Sequence, residues 1–541
     1  MVSISVNNES EKTWIVYRTD SDGNVCLISK GNSGGILPIG TFLTIEDGSK
    51  KFVLRVDKSI QEEKYKPSVF IVESNIDLPP QEQICKNIVL AQRVGETLMS
   101  DDDVASFIRP GLIARRSTQE EINEALQLEK EGVPVFLATS LFNRATVLKG
   151  LNGNLIVAKL PTDFFWHQAI IAGKTGSGKT NALKYLAQYF IEEMNGAVIA
   201  VNVKGKDLLY MHRPSKATDE NVKREWKVIS KHLNYFKFCN ISDVIEHGIE
   251  NNVIYVPYRK DCPPFLEFPP GMVKYITLSV DEIDPLALTG LMQHLTEIAS
   301  SILPDIFRYW KQDEKQPGDK FKDFVTYFNA MISQTPVQLT GIDLAGNKID
   351  YHNVSRSTLN NIGRELNLIT KYFDAPENMA KCLKSYDLIQ REKLSVLHLT
   401  DSIKFGSILL RDIVRKIKEH MQEDSSIPVL FIIDETHLFY SSNTEEALDD
   451  LSAICRTGRQ YKTSIIFASQ NPKDIPAELA SVVSSKIFFQ SEKKEASAFG
   501  LSVENVDIET LPKGYAVVKI KDQPHLRLIK FPKSLGGADV E

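Results

Sequence analysis

Gly173-Lys-Thr-Gly-Ser-Gly-Lys-Thr180 is the stretch on which the reading of this chain turns. It fits G-x-x-x-x-G-K-[ST] in full, a loop whose glycines let successive backbone N–H groups turn inward around phosphate oxygens. The apolar run Ala169-Ile-Ile-Ala172 precedes it and a helical stretch, Asn181 to Met194, follows. The loop therefore sits at a helix N-terminus, where peptide dipoles favour anions. Gly173, Lys174, Thr175, Gly176, Ser177 and Gly178 are expected to wrap the phosphates. Lys179 is expected to reach the β- and γ-phosphates, and Thr180 to offer its hydroxyl to Mg²⁺. A chance glycine loop would lack this strand-before, helix-after setting.

Working outward, Phe431-Ile-Ile-Asp-Glu435 is an apolar strand ending in two acids. Alone, such an ending is a common solvated turn; beside a phosphate loop it places carboxylates at the phosphates. Asp434 is then expected to hold Mg²⁺ through water, and Glu435 to polarise the attacking water, which suits an ATP hydrolase. The next strand, Ser464 to Ala468, runs into Ser469-Gln470, and an amide there can touch both γ-phosphate and water. Between the two strands lies Ile454-Cys-Arg-Thr-Gly-Arg-Gln460. Arg456 and Arg459 are three apart, hence on one face of a helix. An isolated R-x-x-R is more often a solvated or salt-bridged pair. In this series one of them, with Arg459 favoured, is expected to serve the γ-phosphate of a neighbouring subunit.

The 541 residues are too many for one ordinary domain. Residues 1 to about 80 alternate in period two (Trp14 to Tyr17, Val25 to Ile28, Phe42 to Ile45, Phe52 to Val56, Val69 to Val72), with turn clusters between them. That spacing suggests a small barrel or sandwich. Ser117-Thr-Gln-Glu120 looks like a capping box opening a helix to about Lys130. From Ile170 the grammar is α/β, with further buried-strand runs at Ala197–Val201, Val429–Ile433 and Ser464–Ala468. The expected organisation is an N-terminal β-barrel and linker over 1–150 and a nucleotide-binding core split into 151–214 and 391–520. A mainly helical insert over 215–390 and a C-terminal extension over 521–541 complete it.

Composition narrows the partners less. Hydrophobic content of 42% and charged content of 25% are those of a globular protein. A net charge of −6 announces no global nucleic-acid footprint, although a pore can be locally basic inside an acidic shell. The six cysteines form no C-x-x-C pair and are read as reduced thiols. The start, MVSISVNNESEKTW, has neither basic nor apolar signal character, and no apolar run approaches the ~18 residues of a membrane span. A cytoplasmic location with no membrane partner is expected.

The series GKTGSGKT, VLFIIDETHLF and RTGRQYKTSIIFASQNP resembles the HerA branch of the HerA/FtsK ATPases in order and spacing. His167 ahead of the loop strand is similar to the family's entry pattern. Ile39-Gly-Thr-Phe-Leu-Thr-Ile45 with Phe52-Val-Leu-Arg-Val56 resembles its N-terminal barrel, and Leu511-Pro-Lys-Gly-Tyr-Ala-Val-Val518 its closing strand. The resemblance implies an α/β fold: a RecA-like P-loop ATPase core, an N-terminal β-barrel and an inserted helical subdomain. It implies ATP and Mg²⁺ as cofactors, a homohexameric ring on double-stranded DNA, and a NurA-like nuclease or a sirtuin-like or nuclease defence effector as partner. One departure is the segment Asn202-Val-Lys-Gly-Lys-Asp207, where the family often carries an acid soon after the second strand. Asp207 is the candidate for that role, and Lys204 and Lys206 for facing DNA or nucleotide.

Two rival readings use the same core: a secretion or conjugation motor, and a ring that scaffolds an effector enzyme under ATP control. Asn347-Lys-Ile-Asp350 matches a guanine-reading element, but Thr340 to Tyr351 reads as a hairpin with an Ala-Gly-Asn turn. The basic-aromatic stretch Val222 to Lys237 reads as an amphipathic surface helix rather than a nucleic-acid path. His437, just after the acids, has no nearby ligand partners and is expected to support the site rather than bind metal.

Overall fold

In a computed structural model of the chain, the described residues are 14–20, 24–29, 36–48, 50–63, 85–97, 108–128, 131–204, 207–216, 219–233, 247–259, 267–292, 295–400, 403–423, 426–438, 451, 454–475, 477–501, 506–521, 523 and 526–537. The period-two segments near the start form strands β1 (Trp14–Thr19), β2 (Asn24–Ser29), β3 (Phe42–Asp47), β4 (Lys50–Glu63), β5 (Cys85–Thr97) and β6 (Ile113–Arg116). They close into a barrel in the order β1-β2-β5-β4-β3-β6. Closure leaves no free edge, and alternation sends Trp14, Val16, Leu27, Leu43, Ile45 and Leu54 into its core. The expected strand Val69–Val72 lies outside the described residues.

A helix follows at Gln119–Ala125, one residue out of step with the expected cap. Thr118 is the N-cap and Glu121 closes the capping box, its Oε2 accepting from the Thr118 amide at 2.9 Å. Ser117 is buried instead, with its Oγ 2.9 Å from the Thr44 hydroxyl of the barrel. The helix also stops short of Lys130, because Gln127 turns left-handed at φ 49°.

The remaining strands are β7 (Val133–Leu141), β8 (Arg144–Val147), β9 (Val157–Leu160), β10 (Ala169–Ala172), β11 (Ala197–Asn202), β12 (Asn252–Pro257), β13 (Val273–Ile276), β14 (Thr340–Ile342), β15 (Lys348–Asp350), β16 (Lys393–His398), β17 (Val429–Asp434), β18 (Thr463–Ser469), β19 (Ser485–Phe488), β20 (Tyr515–Lys519) and β21 (Leu528–Lys530). All but β14 and β15 join one sheet, ordered β13-β12-β16-β11-β17-β18-β10-β19-β20-β21-β7-β8, with β9 paired to β7. From β13 to β19 the pairings are parallel, and the rest are antiparallel. The runs AIIA, AVIAVN and VLFIID are buried along their whole length, as strands covered on both faces require.

Residues 133–147 fall within the expected 1–150 barrel-and-linker unit, but β7 pairs with β21 through Ile529↔Leu137 and belongs to the large sheet. Its sequence VPVFLATSL is buried at all but its last position, which only an interior strand satisfies. The 215–390 stretch, expected to be mainly helical, also supplies β12 and β13 to that sheet. Its helices Glu297–Tyr309, Phe321–Ser333 and Arg356–Ile369 pack around Phe307, Trp310, Phe321, Phe324 and Phe328. β14 and β15 are the expected hairpin, closed by Asn347 amide and side-chain bonds to Asp343. Among the described residues no helix is long and apolar enough to cross a membrane.

Candidate nucleotide site

The sheet order itself assembles the site. β18 lies between β10, which carries the phosphate loop, and β17, which carries the acids; β11 flanks β17 on the far side. Register pairs Ala172 with Ser469 and Asp434 with Ala468, so Gly173, Asp434-Glu435 and Gln470 leave the sheet at one level.

The loop is fixed from outside. The Gly173 amide donates to the Ser469 carbonyl at 3.2 Å, and the Lys174 amide to the Gln490 carbonyl at 2.8 Å. Gly176 and Gly178 have φ of 81° and 109°, conformations that side chains resist. Gly178 is doubly constrained, since a Cβ there would lie 2.7 Å from the Gly514 nitrogen. The Gly514 amide in turn donates to the Ser177 carbonyl at 2.8 Å. The helix then starts at Lys179 and runs to Glu192. Ser177 Oγ is buried and has no hydrogen-bond partner among the described residues. It is a donor awaiting an acceptor in a loop of phosphate-binding shape.

Opposite the loop, Lys179 Nζ lies 3.7 Å from Asp434 Oδ1 and 3.5 Å from Glu435 Oε1. Burial pushes the Asp434 carboxyl up to about 6; the Lys179 ammonium opposes that, and the Glu435 and Asp207 carboxylates add to it. Thr180 Oγ1 is 3.5 Å from Asp207 Oδ2, so the acid expected soon after the second strand does stand beside the loop threonine. Glu435 is buried with φ 52°, a left-handed backbone uncommon for a residue with a side chain. Its Oε1 accepts from Gln470 Nε2 at 3.1 Å and from Lys204 Nζ at 2.6 Å. Gln470 Oε1 accepts from Thr175 Oγ1 at 2.9 Å, so the amide bridges the loop and the acid. His437 Nδ1 stands 3.6 Å from Glu435 Oε2 and 3.8 Å from Asp474 Oδ2.

Thus Lys179, Thr180, Asp434, Glu435, Gln470 and the loop residues 173–178 meet at one place, and the two arginines do not. Arg456 lies in the helical residues 454–457 and Arg459 in the turn before β18, at the end of the sheet where strands begin. The length of β18, seven residues, puts them roughly 20 Å from the loop. Arg459 pairs with Asp163 at 3.4 Å, whereas Arg456 is exposed without a partner among the described residues. Lys204 faces Glu435, and Lys206 lies outside the described residues. Sequence reasoning missed the contact of Gly514 with the loop; its only signal was the glycine in Leu511-Pro-Lys-Gly514. It also missed Pro532 to Gly537, which bond to Asn181, Lys184 and Gln188 on the loop helix.

A phosphate loop, two acids on one strand and an amide on the strand between them define a P-loop ATP hydrolase. Residues 159–402 match the family described as Helicase HerA, central domain. Over that segment the chain is similar to the HerA family. It is 22% identical over 428 residues to the DNA double-strand break repair helicase HerA of Sulfurisphaera tokodaii, covering 75% of each chain. Identity and coverage are the same for the protein of that name from Sulfolobus acidocaldarius. Among solved structures, VirB4 of Thermoanaerobacter pseudethanolicus is similar with a TM-score of 0.43 and 12% identity, over 75% of this chain and 97% of that one.

Proposed function

We propose that this chain is an ATP-driven motor that moves on double-stranded DNA as a homohexameric ring, working with a nuclease or defence effector. The observation that carries the reading is the split between a completed acid–amide–lysine cluster and an arginine helix at the opposite end of the sheet. An arginine roughly 20 Å from its own loop is out of reach of its own nucleotide; serving a neighbour's would make turnover depend on assembly. The relatives named as repair helicases support DNA as the track.

In the site, Lys179 exchanges its carboxylate neighbours for β- and γ-phosphate oxygens, and Ser177 Oγ and the loop amides donate to the same anion. Thr180 and Asp434, with Asp207 beside them, are the oxygen donors that fit Mg²⁺, which when bound supplies positive charge to the phosphates. Glu435 accepts a proton from the attacking water, and Gln470 orients that water while reporting on it through Thr175.

The test is ATPase rate with and without linear duplex DNA, with mass photometry of the same sample. A hexamer whose turnover rises several-fold on DNA is expected. Hexamers indifferent to DNA favour the ATP-controlled effector scaffold, and monomers with full turnover overturn the shared site.

A further inference from the structure

We propose that Lys204 is a positioning residue for hydrolysis: its ammonium clamps one oxygen of Glu435 so that the other is presented to water. The inference rests on the reading of Glu435 as the proton acceptor.

β11 and β17 are parallel neighbours, with Val201 opposite Ile433, so their two exits run side by side into the site. Lys204 and Glu435 each follow those exits closely, and Lys204 Nζ reaches Glu435 Oε1 at 2.6 Å. The pairing is asymmetric in burial. The Glu435 side chain is 2% exposed, while that of Lys204 is 45% exposed. Glu435 is therefore a buried anion held by a partner that approaches from solvent. On the same oxygen Gln470 Nε2 donates at 3.1 Å, and Lys179 Nζ stands further off at 3.5 Å. Glu435 Oε2 accepts no hydrogen bond among the described residues; His437 Nδ1 lies 3.6 Å from it.

One oxygen is thus saturated and the other free. Lys179 is the member of this set that phosphate draws away, because the loop places its ammonium at the anion. Once it moves, Lys204 and Gln470 alone hold the carboxylate, and Gln470 is itself shared with Thr175. Without Lys204 the side chain rests on a single neutral amide, on a backbone already in the left-handed region at φ 52°. A buried charge with one neutral donor is poorly fixed, and a misplacement of ~1 Å lowers a reaction by about 100-fold.

The experiment compares Lys204→Met, Lys204→Arg and Glu435→Gln in the full chain. It measures kcat, KM for ATP, and the Kd of fluorescent ATP-analogue and ADP. Lys204→Met is expected to lower kcat about 10- to 100-fold, with KM and both Kd values within about twofold of wild type. Lys204→Arg keeps the cation and should recover most of the loss, which also answers any doubt about folding of the methionine variant. The double variant Lys204→Met/Glu435→Gln should be no slower than Glu435→Gln, because both substitutions act through one oxygen pair. An unchanged or raised kcat overturns the proposal. So does a selective loss of ATP-analogue affinity with ADP unaffected, which makes Lys204 a γ-phosphate contact instead. Wild-type turnover in Glu435→Gln sinks the reading of Glu435 itself, whatever Lys204 does.

Discussion

Replacing Arg456 with alanine separates a shared nucleotide site from a self-contained one. The side chain is exposed and has no partner among the described residues, so its loss should change folding stability by no more than about 0.5 kcal/mol. Arg459, the arginine favoured from the sequence, is tested beside it. Its ion pair with Asp163 spans 3.4 Å between side chains 66% and 50% exposed. Such a pair is worth at most about 1 kcal/mol, so Arg459→Ala should also fold. If Arg456 neutralises charge on a neighbour's γ-phosphate, its removal lowers kcat by about 1,000-fold, or about 4 kcal/mol in the barrier, and leaves nucleotide binding intact. An equimolar mixture with Glu435→Gln subunits then restores activity. A working site needs an intact glutamate from one subunit and an intact arginine from the next; random mixing supplies both at about a quarter of sites, so turnover should return to about a quarter of wild type. The assay is steady-state ATPase on subunits unfolded and reassembled together, with mixing verified by native mass spectrometry. Two results refute the reasoning: Arg456→Ala and Arg459→Ala both within threefold of wild type, or mixed rings of the slower variant that stay inactive.

Gly178→Ala should cripple nucleotide binding, because the left-handed backbone at φ 109° costs a side chain about 1–2 kcal/mol and its Cβ meets the Gly514 nitrogen at 2.7 Å. A nucleotide Kd within twofold of wild type, by fluorescence titration, would show that the loop relaxes freely. Glu121 ties the barrel to the segment after it. Burial would raise its carboxyl, but bonds from Arg115, the Thr118 amide and Thr44 outweigh that and hold it down at about 2 against the usual 4.5. A depressed carboxylate stabilises the fold fully above its unfolded value and loses that contribution as pH falls through its folded one. Glu121→Gln should therefore lower Tm at neutral pH, with the deficit shrinking as pH falls from 4.5 toward 2. A deficit that is constant with pH in calorimetry would assign the loss to packing instead.

The parts of the site that were legible in the sequence are those whose chemistry is local. Eight consecutive residues specify the phosphate loop, and an apolar run ending in Asp434-Glu435 specifies both a buried strand and the acids at its exit. What was illegible depends on which chain segments become neighbours. Lys204 and Glu435 are brought together only because β11 lies beside β17, a pairing that spacing along the chain does not encode. The same is true of Gly514, which reads as an ordinary turn glycine until its amide is seen holding the Ser177 carbonyl. The cap at Thr118 was misread by one residue because Ser117 and Thr118 are equally good caps in sequence. The barrel resolves the tie by claiming Ser117 as a partner for Thr44. Strand β7 falls in the expected barrel-and-linker span for a similar reason: its apolar run fits either sheet, and only its pairing with β21 decides.

The position of β18 gives the proposed ring a physical route for linking one site to the next. At its C-terminal end Gln470 touches both Thr175 and Glu435 of its own site. At its N-terminal end the turn bearing Arg459, and just before it Arg456, is locked to the strand. The Thr463 amide donates to the Gly458 carbonyl at 2.8 Å, and any Cβ on Gly458 would lie 2.3 Å from the Thr463 carbonyl oxygen. Gln168, at the start of the loop strand, bonds to the Ile465 amide and the Thr463 carbonyl, so the two strands are joined at that end as well. Every residue of β18 is buried, so it has little room to bend independently of its neighbours. A shift of Gln470 on loss of the γ-phosphate would thus be transmitted along a stiff, doubly anchored strand to the arginine helix. In the proposed ring that helix would face the adjoining subunit's nucleotide. Hydrolysis in one subunit would then reposition the group on which its neighbour's hydrolysis depends, the minimum requirement for ordered firing around a ring.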